Sequence, residues 1–251
     1  MRSAERQRKL QQLFATQEFA SIDDLRRLLA VSEATARRDL NLLEESGQIR
    51  RVHGGAISLV TRDESLDYGQ LSTSCRAEKM RIGRVAAGLI EEGQTVILGG
   101  GSTAVEVARN LFGRTLQVIT NSIPIAQVFW DCKRVEVTLT GGYLYPCLGL
   151  QLGPVCEQTL SSISADVFIM GIGGMTKKGL SDSNALIVGS IRKMIEVSRR
   201  VIVVADHTKF GRDRMVHVAT FADIDAVVTD SAIAPEQQRF LKAQGVECVL
   251  A

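Results

Sequence analysis

The chain has 251 residues, of which 45% are hydrophobic and 23% charged, and its formal net charge is +2. This composition is typical of a soluble globular protein, and no apolar run approaches the ~18 residues that a membrane span needs. The five cysteines are scattered and odd in number, and none forms a C-x-x-C pair. These features argue against a membrane protein, a disulfide scaffold or a zinc site, and we expect a cytoplasmic protein without metal or cofactor.

The small positive excess lies in the N-terminal part of the chain. Residues 1–60 contain ten Lys and Arg against eight Asp and Glu, whereas the remainder contains twenty of each. Such a balance supplies little long-range attraction to nucleic acid. Binding to DNA would therefore depend on where individual arginines point, as in a sequence-specific protein.

Two helices are predicted before residue 30. The first runs from Arg2 to about Thr16, and Ser21 is a good N-cap for the second, which also has acidic residues in its first turn. Apolar residues at helical spacing form the core stripes: Leu10, Leu13 and Phe14 in the first helix, and Leu25, Leu28 and Leu29 in the second.

Residues 32–47 have the pattern of an amphipathic helix with both ends marked. The hydroxyl of Ser32 suits the N-cap position, and Gly47 suits a left-handed C-cap. At about 100° per residue, Ala36, Leu40 and Leu43 cluster on one side. This side is expected to face the core.

The opposite side of this third helix carries side chains suited to reading DNA. It presents Arg38 and Asn41, with Thr35 and Arg37 on its flanks. A helix of this size fits the major groove, where Arg and Asn make bidentate contacts with guanine and adenine. Two adjacent arginines alone usually mark a solvated face, so the interpretation depends on the surrounding motif.

A short basic hairpin bounded by glycines follows the third helix and suits contacts along the phosphate backbone. Together with the three helices it predicts a winged helix-turn-helix domain over residues 1–57. The predicted DNA-binding residues are Ser32, Thr35, Arg37, Arg38, Asn41, Arg50, Arg51 and His53.

The whole N-terminal motif resembles the signature of the DeoR family of bacterial transcription regulators. The resemblance implies a DNA-binding regulator that binds a double-stranded operator. The matching residues are Val31-Ser32, Thr35, Arg37-Arg38-Asp39-Leu40, Leu43-Glu44, Gly47 and Arg51-Val52-His53-Gly54-Gly55-Ala56.

Beyond residues 58–76, which we interpret as a linker, short apolar strands alternate with helical patterns over residues 77–251. Continuous apolar strands between helices predict an α/β domain with a mainly parallel sheet covered on both faces. The predicted strands are residues 95–98, 116–120, 135–139, 166–170, 201–205 and 226–229, the last strand of the prediction.

Polar residues and glycines follow five of these strands, at the edge where open α/β sheets bind ligands. Glycines after strands are more often turn residues, but five clusters on one edge indicate a pocket. Glycines ahead of a helix N-terminus suit phosphate, and Lys209 could supply the compensating charge. The predicted ligand-binding residues are Gly101, Ser102, Thr103, Thr120, Asn121, Ser122, Gly141, Gly142, Gly173, Asp206 and Lys209.

This half is similar to the sensor domain of the DeoR family, which resembles ribose-phosphate isomerases and CoA-transferases and in most members detects a phosphorylated sugar or a related metabolite. Lys79 also matches that domain. Three departures concern the parts of the pocket beyond the phosphate: Gly99 stands where many members have an acidic residue, Ala104 where most have a threonine, and residues 185–192 lack an acidic residue.

We therefore expect a DNA-binding repressor of a carbohydrate operon, modulated by a phosphorylated sugar or sugar acid, that forms a homodimer or homotetramer. One alternative is a sugar-phosphate isomerase with an accessory DNA-binding head. Isomerisation needs a placed general base, and Asp206 is the one well-placed carboxylate that the pattern offers. We expect no catalytic residues. A further alternative is a DNA-binding protein whose α/β domain only oligomerises.

Overall fold

The computed structural model describes residues 3–16, 19–45, 49–52, 54–58 and 68–251. The chain divides into two compact units, Met1–Glu64 and Ser65–Ala251, each described here by itself. Among the described helices, none is long and apolar enough to cross a membrane.

In its described residues, the N-terminal unit has three helices and a three-stranded antiparallel sheet, of which the first strand was not predicted. Leu10, Leu25, Leu40 and Ile49 are fully or almost fully buried in its core, whereas Leu28 is 43% exposed, which corrects its predicted place in the core stripe. The elements are α1 (Ser3–Thr16), β1 (Phe19–Ser21), α2 (Ile22–Leu29), α3 (Glu33–Glu45), β2 (Ile49–Val52) and β3 (Gly55–Ser58).

The turn between α2 and α3 is defined at both ends. Ser21 caps α2 as predicted, because its hydroxyl accepts a hydrogen bond from the N–H of Asp24 at 3.1 Å. Helix α2 ends at Leu29, and its C-cap Ala30 adopts the left-handed conformation (φ 53°, ψ 48°) and donates its N–H to the carbonyl of Arg26. A left-handed residue lets the chain turn at once into α3.

A buried ion pair joins α1 to α3. The carboxylate of Asp39 is 2% exposed and accepts a hydrogen bond from Arg6 at 2.6 Å. The amide of Gln7 also donates to the main-chain carbonyl of Asp39 at 3.0 Å. Asp39 thus faces the interior of the unit, although its neighbour Arg38 is exposed.

The C-terminal unit is built on a seven-stranded, fully parallel sheet, as the alternating pattern predicted. Its helices are α4 (Tyr68–Thr73), α5 (Arg76–Ala87), α6 (Ser102–Leu111), α7 (Ile123–Val128), α8 (Pro154–Ser161), α9 (Ala185–Glu196) and α10 (Pro235–Ala243). Its strands are β4 (Thr95–Leu98), β5 (Leu116–Thr120), β6 (Val135–Leu139), β7 (Tyr143–Tyr145), β8 (Leu150–Leu152), β9 (Ala165–Met170), β10 (Gly174–Thr176), β11 (Gly179–Asp182), β12 (Ser198–Val204), β13 (Val216–Ala219), β14 (Ala226–Thr229) and β15 (Glu247–Leu250).

The sheet order is β15-β14-β12-β9-β4-β5-β6. Alternate residues of each central strand face opposite cores: Val96 and Leu98 pack with α5 and α6, whereas Ile97 packs with the α8 and α9 side. Both faces are therefore apolar, which explains why these strands read as continuous hydrophobic runs.

Several elements of this unit lie outside the prediction. Strand β15 follows the strand predicted to be the last and extends the sheet at its edge. The short antiparallel pairs β7-β8 and β10-β11-β13 were missed as well. Within the expected linker, α4 is helical and packs against α6.

Helices α5 and α6 pack tightly against each other at Gly83. A Cβ atom on this residue would lie 2.6 Å from the main-chain carbonyl carbon of Glu106. Real Cβ atoms do not approach backbone so closely, so the packing requires glycine here.

We expect Gly83→Ala to lower the free energy of unfolding of the C-terminal unit by about 1–3 kcal/mol, because overpacking forces the two helices apart. Urea unfolding followed by circular dichroism measures the change. Arg84→Ala, at the neighbouring exposed position, is the control. Equal stability of the two variants would contradict this packing argument.

Candidate DNA interface and ligand site

Helix α3 has the amphipathic character that the sequence predicted. The hydroxyl of Ser32 accepts a hydrogen bond from the N–H of Thr35 at 3.3 Å and lies 3.0 Å from its hydroxyl. Ala36, Leu40 and Leu43 are at most 2% exposed. The cap and the buried stripe together fix which side of α3 faces solvent.

The solvent side of α3 presents Arg37, Arg38 and Asn41. The Arg37 guanidinium forms an ion pair with Glu33 one turn earlier, at 2.7 Å. The Arg38 side chain makes no hydrogen bond or ion pair with another residue in the described part of the chain. Its five N–H donors are therefore available to a partner.

The wing strand β2 is connected to α3 by side-chain contacts. The Arg51 guanidinium donates a short hydrogen bond to the amide oxygen of Asn41, and the N–H of Arg51 donates to Glu44 at 2.8 Å. Two predicted DNA contacts thus touch each other. Arg50 is exposed on the same strand. The predicted contact His53 and the predicted helix stop Gly47 lie outside the described residues.

In the C-terminal unit, the parallel sheet brings the five predicted clusters to one edge. They follow the carboxyl ends of β4, β5, β6, β9 and β12, and these strands are neighbours in the order β12-β9-β4-β5-β6. A Cβ atom on Gly171 would lie 3.0 Å from the carbonyl oxygen of Gly100, so the β9 and β4 clusters are in contact.

The loop after β4 leads directly into the N-terminus of α6. Gly101 precedes the helix with φ 125°, a conformation that other residues rarely adopt. Ser102 and Thr103, the first residues of α6, are only 7% and 6% exposed. This geometry places free first-turn N–H groups at the carboxyl edge, where they can bind an anion.

The hydroxyl groups after β5 make hydrogen bonds to the backbone of the fold itself. The hydroxyl of Thr120 donates to the carbonyl of Leu98 at 2.7 Å and accepts from the N–H of Ser122 at 3.0 Å. The hydroxyl of Ser122 caps α7 by accepting from the N–H of Ile125. These two predicted ligand residues therefore hold the β4 and β5 ends in place.

Asn121 differs from its neighbours because one of its polar side-chain atoms has no hydrogen-bond partner among the described residues. Its amide nitrogen donates to the carbonyl of Gln151 at 3.2 Å, and its amide oxygen is buried with no partner among the described residues. Gln151 also accepts from the N–H of Gly141 at 3.1 Å. A Cβ atom on Gly142 would lie 2.6 Å from the carbonyl oxygen of Leu152, so this glycine permits close packing of β8.

Four charged groups surround the β9 and β12 ends. The carboxylate of Asp206 is almost fully buried, accepts hydrogen bonds from Thr208, and lies 3.9 Å from the ammonium of Lys79. Burial lowers the pKa of Lys79 and of Lys209 below the ordinary lysine value. The negative charge of Asp206 opposes this effect only in part. Burial also raises the pKa of Asp182. A Cβ atom on Gly173 would lie 3.0 Å from the Asp182 carboxylate.

Sequence reasoning missed two residues of this edge. Gln151 lies on a three-residue strand without a periodic signal, and its N–H donates to the main-chain carbonyl of Asn121 at 2.7 Å, beside an isolated bridge between Ser122 and Leu150. Asp182 ends β11 and reaches the edge through the small sheet β10-β11-β13. Neither position follows a strand of the main sheet, so no local pattern could have assigned it.

A groove of about 630 Å³ lies beyond the loop that carries Lys209. Met175, Phe210, Phe221 and Phe240 line it, together with several charged residues. Its walls are mainly apolar, whereas the carboxyl edge offers N–H groups, amides and paired charges. The edge is the better match to a phosphorylated, hydroxylated ligand. Among the described residues, no group of three or more His, Cys, Asp or Glu is arranged to hold a metal ion.

Comparison with known proteins agrees with both halves of this architecture. Residues 6–62 match the model of the DeoR-like helix-turn-helix domain, and residues 74–231 match the model of the DeoR C terminal sensor domain. A winged helix-turn-helix joined to a sensor domain defines a DNA-binding transcriptional regulator. The chain belongs to the DeoR family.

Curated relatives align along most of the chain. The transcriptional repressor AccR of Agrobacterium fabrum is 36% identical, over 90% of this chain and 89% of its own. The transcriptional repressor GlcR of Bacillus subtilis is 35% identical (89% and 86%), and the transcriptional regulator UlaR of Escherichia coli is 30% identical (98% and 98%).

Among solved structures, ribose 5-phosphate isomerase A of Methanocaldococcus jannaschii is similar at 16% identity with a TM-score of 0.40, over 55% of each chain. The sorbitol operon regulator SorC of Klebsiella pneumoniae has a TM-score of 0.35 at 15% identity, over 82% of this chain and 89% of its own.

The contact between Asn41 and Arg51 predicts coupled effects on DNA binding. Asn41→Ala and Arg51→Ala should each weaken binding, and the loss in the double variant should differ from the sum of the single losses by about 0.5–3 kcal/mol. Fluorescence anisotropy with labelled operator DNA at fixed salt measures the affinities. A control cycle of Asn41→Ala with Arg50→Ala should be additive. An additive Asn41–Arg51 cycle would show that the contact is irrelevant to binding.

Proposed function

We propose that this protein is a repressor of a carbohydrate-metabolism operon and that a phosphorylated sugar or sugar acid modulates its affinity for DNA. The observation that carries the proposal is the carboxyl edge of the sensor sheet, where the N-terminus of α6 follows β4 and the buried carboxylate of Asp206 follows β12, on the other side of β9. Two of the similar proteins named above are called repressors.

On the DNA side, we propose that α3 enters the major groove. Arg38 has unused donors and Asn41 is exposed beside it, so these two residues are assigned to base edges. Ser32, Thr35, Arg37, Arg50, Arg51 and His53 are assigned to the phosphate backbone. A homodimer or homotetramer would present two α3 helices to successive half-sites of the operator.

On the ligand side, we propose that the phosphate binds at Gly101, Ser102 and Thr103, with Lys209 as its counter-charge. The unpartnered amide oxygen of Asn121 can accept a hydrogen bond from a ligand hydroxyl, which would satisfy a buried polar atom that is otherwise costly. The remaining predicted contacts are Thr120, Ser122, Gly141, Gly142, Gly173 and Asp206.

We propose no catalytic role for this edge. A general base must reach the proton that it abstracts, and the Asp206 carboxylate is already occupied by Thr208 and faces Lys79. Steady turnover of ribose 5-phosphate by the purified full chain would overturn this part of the proposal.

The experiment that tests the function is a titration of labelled DNA from upstream of the neighbouring operon, followed by anisotropy at fixed salt. It is repeated with inorganic phosphate, ribose 5-phosphate, glucose 6-phosphate and 6-phosphogluconate. We expect selective binding that one of the organic phosphates weakens. Selective binding that no compound changes would remove the ligand part of the proposal, and a lack of selective binding would remove all of it.

The two classes of arginine should separate in the same assay. Arg38→Ala should cost about 1–3 kcal/mol at the operator and relax discrimination at one base pair, because a bidentate base contact is lost. Arg50→Ala should weaken operator and unrelated DNA alike and should reduce the slope of log affinity against log salt by about one. If Arg38→Ala leaves operator affinity unchanged, the assignment of α3 is wrong.

Lys209 provides the corresponding test of the ligand site. Lys209→Met should raise the dissociation constant of the active organic phosphate by at least about tenfold, since a half-buried charge pairs strongly with phosphate. Isothermal titration calorimetry measures this binding without DNA. Lys133→Met, which removes an exposed ammonium ahead of β6, is the matched control. Equal binding by both variants would move the phosphate away from Lys209.

A further inference from the structure

Helix α4 is the first described element of the C-terminal unit and follows the DNA-binding unit in the chain. It is six residues long and has no buried residue of its own. It packs against α6 through partly buried side chains such as Tyr68, and polar contacts hold its two ends. Both ends are bound to parts of the carboxyl edge.

The N-terminal end of α4 is bound to the β7-β8 hairpin. The N–H of Tyr68 donates to the carbonyl of Cys147 at 2.7 Å. Cys147 lies in the turn between β7 and β8, and β8 carries Gln151, which contacts Asn121 and Gly141 at the ligand edge. A rearrangement of this hairpin would therefore reach the start of α4.

The C-terminal end of α4 is bound by Lys79 of α5. The ammonium of Lys79 donates to the carbonyls of Leu71 at 2.6 Å and Ser74 at 2.8 Å. These carbonyls lie at the C-terminal end of α4, where helix carbonyls lack partners and attract positive charge. The Lys79 side chain is 4% exposed, so water does not compete for these bonds.

The same ammonium faces the ligand edge. Asp206 lies 3.9 Å away and is 2% exposed, and it is the acidic group whose charge acts most strongly on Lys79. The ammonium has three N–H donors, and the two α4 carbonyls use two of them. Because both side chains are buried, the electrostatic attraction between Asp206 and Lys79 is strong. A ligand group that binds Asp206 would therefore change the electrostatic interactions of Lys79.

We infer that Lys79 is a positioning residue that couples ligand binding at the carboxyl edge to the position of α4, and through α4 to DNA affinity. This inference rests on the proposed function, because it presumes a ligand beside Asp206. The structure offers Lys79 two sets of partners, the α4 carbonyls and Asp206. A ligand can act through this group only to the extent that it binds the two arrangements differently.

The test compares full-length wild type with Lys79→Met and with Arg81→Met. Arg81 lies on the same helix, is half exposed and pairs with Glu78 at 3.4 Å, so its substitution removes one positive charge from α5 without touching α4. Anisotropy gives DNA affinity with and without the organic phosphate that acts on the wild type. Calorimetry gives the affinity for that compound without DNA.

We expect Lys79→Met to bind DNA within about threefold and the compound within about fivefold of wild type. The factor by which the compound weakens DNA binding, typically 5- to 150-fold in allosteric proteins, should fall below about twofold. Arg81→Met should keep the wild-type factor. A wild-type factor in Lys79→Met would overturn the inference, and loss of compound binding would make Lys79 a ligand contact and overturn it too.

Two further variants keep the test decisive if Lys79→Met does not fold. Tyr68→Ala removes the side chain but keeps the N–H that binds Cys147, whereas Tyr68→Pro removes both, and proline is tolerated at the first position of a helix. The factor by which the compound weakens DNA binding should be at least about threefold smaller for Tyr68→Pro than for Tyr68→Ala. Equal factors would overturn the role of α4. If none of the four compounds weakens DNA binding by the wild type, the ligand part of the proposed function is wrong. The inference that rests on it is then wrong as well.

Discussion

Parallel pairing is the constraint on which the C-terminal unit depends. Every neighbouring pair in the sheet β15-β14-β12-β9-β4-β5-β6 is parallel, so each strand must be followed by a crossover before the next one begins. All carboxyl ends therefore meet at one edge, and the chain leaves that edge in loops rather than in tight hairpins. Five loops with different side chains are brought together without any need for neighbouring positions in the sequence.

The loops at this edge bury charge, and buried charge must be balanced locally. The edge does so with two ammonium groups, Lys79 and Lys209, and two carboxylates, Asp206 and Asp182. A fold that only needed an apolar core would not retain such a group, since burial of each ion costs several kcal/mol. A ligand anion bound at this edge, as proposed, would change the electrostatic interactions among these four groups.

The main features of the fold followed from the sequence because their signals are local. Strand β4 is a continuous apolar run in the sequence, and the buried residues of α3 recur at helical spacing. Leu28 was placed wrongly because helical spacing gives the angle of a side chain but not the width of the covered face. Strands β7 and β8, and with them Gln151, have three residues each and are specified by pairing across a turn. Contacts made by tertiary placement, such as Lys79 with Asp206, carry no local signal.

The departure at Gly99 has a physical cause in the packing of β9. A Cβ atom on Gly99 would lie 3.0 Å from the ring of Phe168, which is fully buried in the neighbouring strand. An acidic side chain, which the family resemblance associates with this position, would have to displace that ring and enter an apolar core without a partner. The ring of Phe168 therefore packs against the start of the loop that leads into α6. Under the proposed function, recognition of the sugar would therefore fall to the β5 and β12 ends, where Asn121 and Asp206 provide polar atoms.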